Sequence, residues 1–132
     1  MRLLNDLMEW LMNYAFDNNI GCILTRYLKP TTPSSSYGDQ RIVVVNMNWK
    51  HPNEIPFSFA HEIGHILNGD KGIHQFTAVG SSKEEHSANI TGIKLLNQYC
   101  QKHDISVNNP VQFCERFGIP NQFDYIASLF IQ

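Results

Sequence analysis

The sequence predicts an α+β fold, and three observations carry that reading. The first stretch, MRLLNDLMEWLMNYAF, repeats apolar residues at helical spacing. The clearest strand, RIVVVN, carries three consecutive valines and lies before the middle of the chain. Helical patterns then follow one another to the end, so helices outnumber strands and are segregated from them. At 132 residues with no long linker and no internal repeat, the chain reads as one domain, residues 1–132.

The elements follow in order. Leu3, Leu4, Leu7, Met8, Leu11, Met12 and Ala15 form one face of an amphipathic helix, which Asn18, Asn19 and Gly21 stop. IGCILTRYL is a short β-prone run. KPTTPSSSYGD, from Lys29 to Asp39, has loop and turn chemistry. A strand from Arg41 to Asn46 leads to a helix over about Asn53 to Asn68, with Gly69 as its C-terminal stop. A loop is expected over Gly69 to Ser81, and a long helix over Ser82 to Lys102. NNPVQFCERFGIP predicts a short helix with Pro110 in its first turn, and Gln122 to Ile131 a last one.

Charge and cysteine content exclude several classes. The formal net charge is -2, with no basic block, so affinity for nucleic acid or an anionic membrane is not expected. From His103 onward Arg116 faces Asp104, Glu115 and Asp124, which makes a poor DNA surface although FCERFGIPNQFDYIASLF has a helix-turn-helix flavour. Cys22, Cys100 and Cys114 are odd in number and form no CxxC pair, as expected of reduced core thiols. The N-terminal stretch carries Asp6, Glu9 and Asp17 and lacks the pattern of a signal peptide. No stretch reaches the roughly 18 apolar residues that span a bilayer. The expected location is cytoplasmic.

The segment FAHEIGHILNGD, Phe59 to Asp70, holds the chemistry. At about 100° per residue, Phe59, Ile63, Ile66 and Leu67 cluster on one side of a helix, with His61, His65, Asn68 and Ser58 nearly opposite. One-turn spacing lets both imidazoles bind a single cation, and neutral imidazole suits zinc. Glu62 lies beside them, where a carboxylate can take a proton from a zinc-bound water and later return it to a leaving amine. Gly64 leaves room for another segment to pass close by.

A catalytic zinc site needs a third protein ligand. The candidates are His74, Glu84, Glu85 and His86. The pattern HExxHxxGxxH is absent, and His74 falls nine residues after His65 where that pattern needs six. On the second long helix Glu85, Ala88, Asn89, Gly92 and Leu96 form one stripe, whose small residues allow close approach to the first helix. His86 points elsewhere and reads as a surface residue. Ser82-x-x-Glu85 and Ser81-x-x-Glu84 both match a capping box, so one glutamate can cap while the other binds. Spacing favours Glu85 over Glu84 without settling the choice. His51 and His103 read as loop and helix-end residues.

His61, Glu62 and His65, followed by Glu85, Ala88, Asn89 and the pair Leu95-Leu96, resemble the ImmA/IrrE family of bacterial and phage metallopeptidases. The resemblance runs from about Arg41 to Leu96. It implies a zincin-like fold, with a small sheet packed on the HExxH helix and on a second ligand-bearing helix, and C-terminal helices beyond. It implies Zn2+ held by His61, His65 and Glu85, with Glu62 catalytic. It also implies an endopeptidase whose partner is a helix-turn-helix repressor of a phage or mobile element. Thr91-Gly92 and Asn97-Gln98 stand where the family often has Phe-Ala and Met-Pro, so the second helix is expected to run on unbroken. The alternative reading is a zinc-containing anti-repressor that binds without cutting. The edge of Ile42–Asn46 is the expected wall of the cleft. The loop from Lys29 to Gly38 is expected to close over a bound segment.

Overall fold

A computed structural model describes residues 2–75 and 82–131, with side chains described from Asp6 onward in the first helix. Helix α1 (Arg2–Asp17) buries Leu7, Met8, Leu11 and Ala15, as its spacing predicts, while Met12 is 43% exposed. Leu3 and Leu4 lie outside the described side chains. Strands β1 (Gly21–Thr25), β2 (Ser35–Tyr37), β3 (Ile42–Asn46) and β4 (Ile73–Gln75) form one sheet in the order β1-β3-β2-β4. β3 runs parallel to β1 and antiparallel to β2, and β4 pairs antiparallel with β2.

This topology corrects three expectations. The Lys29–Gly38 segment contains β2, paired on both sides, so it is no free lid. The Asn46 side-chain amide also donates to the carbonyls of Lys29 and Thr32, which fixes the segment further. β3 is an interior strand and has no edge to offer; among the described residues the outer strand beside β2 is β4, inside the stretch read as a loop. β2 and β4 were invisible to patterning because each has only three residues and neither alternates cleanly.

A 3-10 turn, Pro52–Glu54, leads into α2 (Ile55–Leu67). All of α2 from Ile55 to Ile66 is buried, so its histidine face is covered as fully as its apolar face. Val43 and Val45, both 0% exposed, point from β3 to the α2 side, and α1 packs against α2 and β1.

The long helix α3 (Lys83–Lys102) runs on unbroken and lies along α2. Two glycines permit the approach: a Cβ at Gly64 would lie 2.9 Å from the Ala88 carbonyl oxygen, and one at Gly92 would lie 3.1 Å from the His61 nitrogen. Helix α4 (Pro110–Phe117) follows, capped by Asn109 and ended by Gly118 in the left-handed region. The last predicted helix is shorter than expected: a 3-10 turn, Asn121–Phe123, and α5 (Asp124–Ala127). Phe113, Phe117, Phe123 and Ile126 are buried, so this C-terminal part packs on the rest, as expected. The result is α+β and agrees with a small zincin-like domain. No helix among the described residues is long and apolar enough to cross a membrane.

Candidate metal centre

α2 and α3 bring His61, His65 and Glu85 together, with one ligand atom from each within 4.8 Å of the others. His61 Nε2 lies 3.0 Å from Glu85 Oε1, and His65 Nε2 lies 3.0 Å from Glu85 Oε2. Both histidines are at most 1% exposed, and the Glu85 side chain is 13% exposed. Ser82 caps α3 by accepting from the Glu85 backbone N–H. The Glu85 carboxylate does not complete the capping box, because it is turned toward the histidines. Ser81, the cap expected for Glu84, lies outside the described residues.

The other ring nitrogen of each histidine has its own partner. His61 Nδ1 lies 2.8 Å from the Asn89 side-chain carbonyl, one helical turn beyond Glu85. His65 Nδ1 lies 2.8 Å from Asp70 Oδ2. A carbonyl or carboxylate only accepts, so Nδ1 carries the hydrogen in both rings, and in the neutral rings each Nε2 presents a lone pair. Those lone pairs face a third acceptor, Glu85. Three acceptors converging in a buried space fit a cation, and this arrangement of Nδ1 partners is the one that orients histidine ligands. The donor set, two imidazoles and one carboxylate, suits zinc.

Asp70 reaches His65 because of how α2 ends. Gly69 takes φ 79°, the Gly69 N–H donates to the Ile66 carbonyl, and the Asp70 N–H donates back to the His65 carbonyl. This Schellman turn folds Asp70 beneath the last helical turn. A Cβ at Gly38 would collide with the Asp70 carbonyl, so the β2–β3 turn presses directly on the segment that holds Asp70.

Charge follows from the geometry. Burial pushes the Glu85 carboxyl up, but the His61 and His65 rings more than offset it and hold it well below the usual carboxylate range. Burial pushes His65 down, but the carboxylates of Glu85, Asp70 and Glu62 more than offset that and the net direction is up. His61 goes down, because burial outweighs its contact with Glu85. Glu62 is fully buried on α2, close enough to His65 to act on its charge.

The remaining candidates separate clearly. His86 is exposed and stacks beside Tyr125, away from the cluster. His51 precedes the 3-10 turn and His103 caps α3, as expected of loop and helix-end residues. His74 falls outside the three-ligand group but beside it, with Nδ1 3.2 Å from Glu85 Oε2. Sequence reasoning missed Asp70 as a partner of His65. Its place just past the Gly69 stop was the available signal.

Residues 23–120 match the peptidase family model described as IrrE N-terminal-like domain, which is well over half of the chain. No curated protein and no solved structure matches.

Proposed function

The chain belongs to the IrrE N-terminal-like peptidase family, a family of metallopeptidases, and on that premise we propose that it is a zinc-dependent endopeptidase. Its proposed substrate is a regulatory protein, a helix-turn-helix repressor of a phage or mobile element. The observation that carries the reading is the convergence of His61 Nε2, His65 Nε2 and the Glu85 carboxylate, with both Nδ1 atoms already engaged by Asn89 and Asp70.

In this reading His61, His65 and Glu85 hold the metal. Bound zinc would supply Lewis acidity toward a water and the scissile carbonyl. Glu62 takes the proton from that water and returns it to the leaving amine. Asn89 and Asp70 keep the two imidazoles aimed.

The sheet suggests how substrate lies. The Gly38 N–H donates to the Gly72 carbonyl, which makes that pair a hydrogen-bonded one. Hydrogen-bonded pairs alternate along an antiparallel ladder, so His74 also faces β2, while the backbone groups of Ile73 and Gln75 point to the outer side. An extended peptide can add there through main-chain hydrogen bonds. Such a site takes a linker or a locally opened segment, not a folded surface.

The test is incubation of the purified zinc form with the repressor encoded beside it, read by mass spectrometry. Two fragments that disappear with a chelator are expected. A repressor bound but left intact would replace this reading with that of a non-cleaving anti-repressor.

A further inference from the structure

We infer that His74 is a positioning residue that sets the orientation of the Glu85 carboxylate toward the metal. The inference rests on the metal-site reading above and deepens it. Glu85 is a long side chain in the first turn of α3, and its backbone N–H is held by Ser82. The carboxylate itself must be held by other groups. Oε1 faces His61 Nε2 at 3.0 Å. Oε2 has two nitrogens near it, His65 Nε2 at 3.0 Å and His74 Nδ1 at 3.2 Å.

His74 is built to stay in place. Its backbone lies in β4, opposite Ser36 of β2. Side chains alternate across a strand, so His74 lies on the same side as Ser36 and Val43, the side that α2 covers. Its Nε2 lies 3.0 Å from the Lys71 carbonyl. Its ring stacks on His65 with centroids 4.2 Å apart and planes 19° apart. One ring thus touches two of the three proposed ligands and ties them to the outer strand of the sheet. A ligand carboxylate that uses one oxygen on a metal needs a partner for the other, and partners of this kind commonly change metal affinity about 10–100-fold when lost. His74 Nδ1 stands where that partner is required, and because a carboxylate only accepts, the role belongs to the tautomer with its hydrogen on Nδ1.

The same contacts distinguish this role from that of a ligand. The His74 nitrogens lie outside the three-atom group formed by His61, His65 and Glu85.

The experiment uses the full chain freed of metal and titrated with cobalt(II), followed by its visible absorption bands, which report ligand geometry. Two variants separate the nitrogen from the ring. His74→Phe keeps a stacking ring on His65 and removes Nδ1. His74→Asn removes the ring and places an amide nitrogen near the position of Nδ1. The expected result is cobalt affinity about 10–100-fold weaker with altered bands in His74→Phe, and affinity and bands near wild type in His74→Asn. Thermal unfolding of the metal-free variants checks that both are folded. Wild-type affinity and bands in His74→Phe would overturn the inference. So would equal losses in both variants, which would assign the effect to the ring, or a loss in both as complete as that of Glu85→Ala, which would make His74 a ligand. A wild-type chain that binds no cobalt would instead bring down the metal-site reading itself, and is recognised before any variant is compared.

Discussion

Gly64 of α2 faces the Ala88 carbonyl of α3 so closely that a Cβ there would lie 2.9 Å from that oxygen and 3.2 Å from the Thr91 Cβ. The contact sets the spacing between the two helices that carry the candidate ligands. Gly64→Ala is expected to destabilise the fold by about 1–3 kcal/mol, because the nearest obstacle is backbone and does not rotate away. Denaturant unfolding of the metal-free protein checks this. A midpoint at or above that of wild type would show that the helices can part without cost.

Asn89 offers its side-chain carbonyl to His61 Nδ1 at 2.8 Å. Asn89→Leu keeps a similar volume and removes the acceptor. Metal affinity should fall about 10–100-fold, measured by competition with a chromophoric chelator. An unchanged affinity would show that Asn89 has no part in orienting His61.

Metal binding should weaken on acidification, and the direction of the His65 shift sets where this begins. Protons compete with metal for His65 Nε2. The His65 pKa is raised from its ordinary value of 6.5, so competition sets in above pH 6.5 and grows as pH falls. Asp70 is one of the groups that raise it. In Asp70→Asn the onset should therefore move to lower pH, while affinity at the alkaline plateau falls about 10–100-fold because the ring loses its orienting carboxylate. Affinity measured across pH for both proteins decides the matter. An onset that stays in place or moves up would contradict the assignment.

Glu62→Gln keeps the shape of the side chain and removes the base. Metal content and unfolding should match wild type, and peptide cleavage should fall by about 10²–10⁴-fold. Wild-type turnover in this variant would point to a contaminating protease.

Gln75→Pro removes a backbone N–H that points away from β2, so the β2–β4 ladder should survive. One lost main-chain hydrogen bond to an extended substrate corresponds to about 0.5–1.5 kcal/mol, or roughly 2–10-fold in KM with kcat little changed. Steady-state kinetics on a peptide substrate tests this. An unchanged KM in a folded variant would place the substrate elsewhere.

Helical spacing alone separated His61 and His65 from the apolar face of α2, marked Glu62 beside them and placed Glu85 on the stripe that meets that helix. These are local properties of a 3.6-residue period, and a sequence displays them directly. The valine-rich β3 was legible from an equally local property, its run of β-branched residues. Tertiary structure decided what depends on segments far apart in the chain. It buried the histidine face of α2, which spacing cannot report because burial depends on what α3 and the sheet place over it. It chose Glu85 over Glu84 for the cluster, since only the packed helices show which carboxylate reaches both rings. It folded Asp70 back under His65 through a turn at Gly69, set Asn89 against His61, and brought His74 to Glu85 on a three-residue strand too short to leave a periodic signal. It also paired β3 on both sides, which moved the candidate substrate edge to β4, because strand order is fixed by hydrogen bonding between segments and not by the composition of any one of them.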